Sequence, residues 1–402
     1  MEALAARLGS TVPFEEAGAV LALALGVQVS AATLRRQTYA AGEAALTVED
    51  AALHVALATP VVHPAPPALL QVSIDATKVP LVGGAWTDVK LAVFAELVPG
   101  PADDTGQPTH APQHHSYVAR WEPAAQFGQT LTLEAQQRGV DEAGTVVSPN
   151  DGADWIQGTL DLIAPQAVRI LDFPHAVEHL GTLAALVTDH DAAAAAWVAT
   201  QRTAFVRQGA GVVLATLEDC LAQGPSPTAR PDAEGRAPAE QLAREVAYFT
   251  TRAAQLAYPS FRAAGYPLGS GLVESGQKVV IGPRFKGAGH HWASQHLNPL
   301  LVLRCASCNE RWPATWATAW GEQCQQAQRT RRAAQQCRRT ARLTLLARPP
   351  APPPVSATPP PVPTAPGRAA APPRPKLVVD GRPTATHPWR HFRLGSAQQR
   401  AS

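Results

Sequence analysis

Three stretches of the chain alternate apolar and polar side chains: Leu70-Gln71-Val72-Ser73-Ile74-Asp75-Ala76-Thr77, residues 89–98 (VKLAVFAELV) and residues 116–121. Alternation at period two sends successive side chains to opposite faces of a pleated sheet, and a helix cannot satisfy it. Gly83-Gly84 separates the first two runs and supplies a tight turn. Three antiparallel strands in a meander are expected. A further short strand at 167–171 (AVRIL) delivers the chain to Asp172, after which 176–222 and 239–264 read as mostly helical. The chain is therefore α/β, with a sheet first and a long helical block after it.

The flanks read differently. The first sixty residues carry a helical pattern, with one helix at 14–25 and another opening at Ser30, whose hydroxyl can cap it; Gly42 is the expected stop. Gly26 between the two, followed by Arg35, Arg36 and Gln37, resembles a helix-turn-helix whose second helix enters a DNA groove. An ordinary helical hairpin fits the same pattern. At the other end, residues 349–375 contain 13 prolines and form no packed core, so a disordered, extended linker is expected. A second break, 224–237 (GPSPTARPDAEGRA), reads as a surface loop inside the helical block.

Charge separates the same regions. Residues 329–402 hold 14 Lys and Arg against one acid, whereas the preceding 328 residues hold 20 against 31. An acidic body with a basic tail is the asymmetry of a chain that meets a polyanion, although a solubilising tail has the same composition. No apolar run approaches the ~20 residues of a membrane-spanning helix, and no secretory leader is evident at the start. Five cysteines are too few and too bunched for a disulfide framework, which suits a reducing cytoplasm, with association to the nucleoid when DNA is bound. Cys305-x-x-Cys308 has later partners at 324 and 337, spacings that fit no compact zinc module.

Chemistry is expected at three acids. Asp75 sits in an apolar strand, where an unpaired carboxylate costs several kcal/mol, so a partner such as Lys78 or a cation must compensate it. Asp172 ends a strand and is followed by Phe173-Pro174-His175, and carboxylates on neighbouring strand ends are a way to hold Mg²⁺. Glu274 lies in Gly269-Ser270-Gly271-Leu272-Val273-Glu274-Ser275, a glycine-rich turn that leads into a helix. Each alone has an ordinary structural reading as a cap, an ion pair or a solvated helix residue.

The order of these acids, and the words SIDATKVP, ILDFPHAVEHL, YPLGSGLVESGQK, PRFKGAGHHW and CNERWPATW between 70 and 316, resemble the DDE transposases of bacterial insertion sequences, the ISKra group in particular. The resemblance implies an RNase H-like mixed sheet flanked by helices and interrupted by an all-helical insertion. The core would span 63–175 and 265–320, with 176–264 as the insertion, 1–62 as a helical DNA-binding region, 321–348 as a basic helix, 349–375 as the linker and 376–402 as a basic tail ending near His387-Pro388-Trp389-Arg390. It implies Asp75, Asp172 and Glu274 as the triad holding two Mg²⁺ or Mn²⁺ ions, which cut phosphodiester bonds and join the freed 3′ end to target DNA. His175 and His179 would orient DNA or a carboxylate, or simply cap and pack.

Basic and aromatic residues after the third acid complete the expected DNA surface: Lys278, Arg284, Lys286 and Trp292, together with Arg35 and Arg36 near the start and Arg331, Arg332, Arg338 and Arg339 in the basic helix. Trp292 in the core is the structural alternative. Trp312, Trp316 and Trp320 are spaced to share one helical face as core or interface anchors. Partners are then the element ends and target DNA, with a homo-oligomer on the DNA and no membrane. A nuclease that cuts without joining, and an inactive relative kept as a DNA-binding protein, are the alternatives.

Overall fold

A computed structural model describes residues 1–59, 63–347, 378–379 and 382–383. The linker at 349–375 and the His387-Pro388-Trp389-Arg390 ending lie outside the described residues. The chain divides into two compact units, Met1–Cys337 and Arg338–Ser402.

The first unit opens with α1 (Glu2–Thr11), α2 (Phe14–Leu25) and α3 (Ala31–Ala58). Glu15 and Glu16 occupy the first turn of α2, and Gly26 ends it in the left-handed conformation at φ 67°. Ser30 caps α3 as expected, its hydroxyl accepting from the Thr33 amide at 3.2 Å. Gly42 does not end that helix, which runs sixteen residues further to Ala58. Glycine is needed there for packing: a Cβ at 42 would stand 2.1 Å from the Pro299 carbonyl oxygen, so its absence lets two helices cross closely.

The meander follows as β1 (Leu69–Pro80), β2 (Trp86–Pro99) and β3 (His110–Arg120), antiparallel in that order. Gly83 and Gly84 make the first turn at φ 94° and 86°. Then come α4 (Ala124–Gln137), β4 (Thr145–Asn150), α5 (Asp154–Ile163) and β5 (Val168–Leu171). α1 falls in the stretch read as helical but without bounds of its own, and α4, β4 and α5 are not expected from the sequence pattern above. β4 is too short and too uniformly buried to alternate, which is how an interior parallel strand reads.

Five strands form one mixed sheet in the order β3-β2-β1-β4-β5, with β4 parallel to both β1 and β5. Leu70, Val72 and Ile74 pack with Phe127, Leu131, Ile156 and Leu160 of α4 and α5 on one face. The other face, with Leu91 and Val93, is covered by α11 (Gly271–Gly276), α12 (Gly282–Phe285) and α13 (Leu297–Cys308). Between β5 and α11 lie α6 (Phe173–Val187), α7 (Asp191–Arg207), α8 (Ala210–Gln223), α9 (Pro238–Thr250) and α10 (Tyr258–Ala263), whose core around Phe205, Phe249 and Tyr258 is continuous with Leu97, Val147, Ile170 and Leu171 of the sheet.

The last helix, α14 (Trp312–Ala347), begins with Trp312, Trp316 and Trp320 stacked at 6.2 and 5.7 Å between ring centres. It is continuous from the tryptophans through the arginines, and its side chains from 324 to 343 are all exposed. In the second unit β6 (Val378–Val379) and β7 (Arg382–Pro383) pair antiparallel. Among the described residues no helix is long and apolar enough to cross a membrane.

Candidate acidic site at the strand ends

β1 and β5 are not neighbours, because β4 lies between them. The strand beside β1 ends instead at Asn150, and the next residue is Asp151. Register makes the consequence concrete. Gln71 pairs with Val147, so four residues on Asp75 is level with Asp151; Asn150 pairs with Leu171, so Asp151 is level with Asp172. The Asp172 amide donates to the Asn150 carbonyl at 2.7 Å, which keeps that level at the last step. With strands ~4.8 Å apart, Asp75 and Asp172 stand about two strand widths from each other, with Asp151 between.

Glu274 arrives from the covering layer. A Cβ on Gly276 would stand 2.7 Å from Val93, so the glycine lets α11 lie directly on β2. Gln277, three residues after Glu274 and on the same helical face, donates its amide to Asp75 Oδ2 at 2.6 Å. Ser270, just before α11, donates its backbone amide to Asp172 Oδ2 at 2.5 Å and its hydroxyl to Glu274 Oε1 at 3.3 Å. After α11 the helix loosens into a π turn over Gln277–Ile281.

The acids differ in what they already do. Asp172 is 3% exposed, and both of its oxygens are occupied: Oδ1 accepts the His175 amide at 2.8 Å and caps α6, and Oδ2 holds Ser270. Asp151 is half-buried; Oδ1 accepts the Ala153 amide at 2.9 Å, and no hydrogen bond reaches Oδ2 among the described residues. Asp75 does not pair with Lys78, which turns to Asp88 at 3.0 Å. Burial pushes the Asp75 carboxyl up to about 6, and the nearby carboxylates of Asp151 and Glu274 push the same way, against hydrogen bonds from Ala76 and Gln277. The shift is chiefly the cost of burying the charge, with the two neighbouring carboxylates adding to it.

The helical block between β5 and α11 holds the strand ends. Tyr248 of α9 donates its hydroxyl to the Asp151 carbonyl at 2.8 Å, and Tyr258 of α10 donates to the Leu171 carbonyl at 3.0 Å. Arg252 reaches the Gly152 carbonyl at 2.8 Å and Asp154 at 3.0 Å while lying 4.5 Å over the Tyr248 ring. His179 stacks on Tyr248 at 3.8 Å and hydrogen-bonds Glu245 at 2.5 Å. Its link to the acids thus runs through Tyr248. His175 meets Asp172 through its backbone, and its ring lies 3.3 Å from Glu178.

Among the described residues no group of three or more His, Cys, Asp or Glu side chains is placed to hold a metal ion. The donors present at the strand ends are all carboxylates, the hard oxygen ligands that suit Mg²⁺ or Mn²⁺ by type. The cysteines make no such set: Cys305 is buried, its thiol pushed up to about 12 by burial, while Cys324 and Cys337 are exposed on α14.

The basic residues do not gather in one place. Lys278 and Lys286 are exposed, and Lys286 donates to Thr77, two residues beyond Asp75 on β1, at 2.5 Å. Arg284 and Trp292 are buried, at 2% and 6% exposure, which corrects the expectation that their side chains lie on an open DNA surface. The Arg284 guanidinium sits between the Phe14 and Trp292 rings, 4.6 Å from each, and the indole N–H donates to the Phe285 carbonyl at 3.2 Å. Packing of the N-terminal helices against this segment closes over them, an event the local sequence does not announce. Arg35 and Arg36 are exposed on α3, and Arg331, Arg332, Arg338 and Arg339 on α14.

Asp151 is the residue that sequence reasoning missed. Its signal was Val146-Val147 between Gly144 and Pro149, a brief apolar run ending in Asn150-Asp151-Gly152. No family model matches the sequence, and no curated protein does.

Proposed function

We propose that this chain is a DNA transposase with an RNase H-like catalytic core, which cuts DNA at the ends of an insertion sequence and joins them to a target. The observation that carries the reading is the row of acids at one level across β1 and β4, with Glu274 brought over β1 and β2 by α11. The sheet order β3-β2-β1-β4-β5 and the helical block before the last acid support the same reading.

Asp75, Asp151 and Glu274 are the carboxylates proposed to hold Mg²⁺ or Mn²⁺, two ions in the fully loaded site. Bound there, the metal would supply an activated water or 3′-hydroxyl and charge stabilisation for the departing oxygen. Asp172 takes a positioning role in this scheme: its two oxygens tie α6 to the turn that launches Glu274. Gln277 holds the Asp75 carboxylate in orientation through its side-chain amide. Lys278, Lys286 and the exposed arginines of α14 are suited to backbone phosphates. Two element ends must be processed together, which favours more than one copy of the chain on DNA.

The test incubates the purified chain with DNA from both flanks of its own gene, with Mg²⁺ or Mn²⁺. Cuts at defined boundaries that vanish in Asp75→Asn, Asp151→Asn and Glu274→Gln support the reading, and strand-transfer products separate a transposase from a nuclease. Cleavage that survives all three substitutions sinks it.

A further inference from the structure

The β2–β3 connection is longer than a hairpin needs. Ten residues, 100–109, join Pro99 to His110, where about two to five usually suffice. The extra length is tightly closed. Asp103 Oδ1 accepts the Thr105 amide at 2.8 Å, the Thr105 hydroxyl at 2.7 Å and the Gln107 amide at 2.9 Å, and Gly106 at φ 77° lets the chain turn back. One further contact leaves the loop. Asp103 Oδ2 accepts from Arg262, in the last turn of α10, at 2.8 Å, and the same Arg262 Nη2 donates to the Thr105 hydroxyl at 3.0 Å. The loop at 224–237 is closed in a similar way around Asp232, whose Oδ1 accepts the Glu234 and Arg236 amides at 3.0 and 2.9 Å. Its arginine, Arg236, lies in the same loop and reaches Asp232 Oδ2 at 2.7 Å. Closing such a loop therefore needs no distant arginine, and Arg262, 159 residues from Asp103, joins two parts of the fold.

A second contact lies three residues further on. His110 Nδ1–H donates to the Gly265 carbonyl at 2.8 Å, and Gly265 sits at φ 71°. A Cβ there would stand 2.8 Å from His110 Nδ1, so glycine is what lets the ring and this chain meet. Both contacts border a cavity of about 180 Å³ that Tyr266 and Leu268 also line, so polar contacts more than close packing join the hairpin tip to the chain after α10. That chain is the approach to Glu274. It is anchored again where the Leu268 carbonyl accepts the Phe173 amide at 2.8 Å and where the Ser270 amide meets Asp172.

We propose that the tip of the β2–β3 hairpin is a clasp on the chain that delivers Glu274, with Arg262 and His110 as positioning residues for that carboxylate. Its consequence for chemistry rests on the role proposed for Glu274 above. Arg262 and His110 act through the segment they hold, since their own hydrogen bonds go to Asp103, Thr105 and Gly265. α11 has six residues, too few to fix its own direction, and it begins directly after the held segment. Its place over β2 therefore depends on the close approach at Gly276 and on the anchors before it. A reacting group misplaced by ~1 Å can lose about 100-fold in rate, so a contact this far from the acids has leverage on them.

The test is hydrogen–deuterium exchange of the full chain in EDTA, followed in the peptides that cover 264–276 and, as a reference on the same side of the sheet, α13. Arg262→Ala is expected to speed exchange in 264–276 about tenfold and to leave α13 unchanged. Arg262→Lys, which keeps the charge beside Asp103, should recover most of the protection, and Asp103→Asn should loosen the same peptides by less than Arg262→Ala. Arg236→Ala, in the comparable loop, is expected to leave 264–276 as in wild type. Unchanged exchange in Arg262→Ala overturns the clasp, as does a uniform rise through the whole chain or an equal loosening by Arg236→Ala. In a chain that cuts DNA, Arg262→Ala should lower kcat roughly 10–100-fold with KM for DNA unchanged, and a wild-type kcat overturns the positioning role. Because exchange is read without metal or DNA, local loosening in a chain that never cuts DNA upholds the clasp while removing the proposed catalysis.

Discussion

β4 and β5 end alike: a short buried strand, then an aspartate, then a helix within three residues, all at the same level of the sheet. Their aspartates nonetheless have opposite situations. Asp172 is buried with both oxygens engaged by backbone amides, and Asp151 keeps one oxygen without a hydrogen bond among the described residues, beside the Asp75 carboxyl. The comparison teaches that a strand-end acid becomes available for chemistry when the following turn leaves part of its hydrogen-bonding capacity unused. A cap spends that capacity on the fold.

The sharpest way to break this comparison is to neutralise each acid in turn. Asp151→Asn is expected to abolish metal-dependent cleavage, well beyond the roughly 10–100-fold that follows loss of a group which only orients a metal ligand. Its unfolding free energy should stay within about 0.5 kcal/mol of wild type by urea titration. Asp172→Ala should show the reverse emphasis, losing about 2–3 kcal/mol of stability because it removes a helix cap and leaves the Ser270 amide without its partner. Equal stability losses in the two variants would erase the distinction.

A pH series sharpens the point for the buried carboxyl beside Asp151. The Asp75 carboxyl, pushed up to about 6 from an ordinary 3.8, binds its proton more tightly in the folded chain than in the unfolded one. Its favourable contribution is therefore complete below about pH 4 and is lost as pH rises through 6. In EDTA, Asp75→Asn is expected to exceed wild type by about 1–2 kcal/mol at pH 8, and the gap should close toward pH 4. Urea titrations at both pH values check this, and a gap that widens on acidification would contradict it.

The smallest expected effects come from the two tyrosines that hold the strand ends. Tyr248→Phe and Tyr258→Phe each remove one hydroxyl from a strand-end carbonyl, at about 1 kcal/mol apiece in thermal or urea unfolding. Only Tyr248→Phe, beside Asp151, is expected to slow cleavage as well. Similar slowing in both would mean that the helical block acts on the site as a whole.

How much was legible in the sequence follows from the range of each signal. Period-two alternation found β1, β2 and β3, and a hydroxyl in the right place found the start of α3, because these depend on neighbours in the chain. β4 has buried residues on both faces and no alternation to read, so Asp151 at its end went unrecognised. Gly42 looked like a helix stop because its reason, Pro299, lies more than 250 residues away.

By itself the sequence determined the mixed α/β plan, the position of Asp75 in a buried strand, and a glycine-rich approach to Glu274. Those are properties of local pattern and of the cost of burying charge. The tertiary structure decided which acids meet. Strand order and register belong to the whole sheet, so inserting β4 between β1 and β5 put Asp151 beside Asp75 and set Asp172 one strand further away. It also decided that Arg284 and Trp292 are buried while Arg35 and Arg36 remain exposed, since only packing between distant segments fixes which side of a cation faces water.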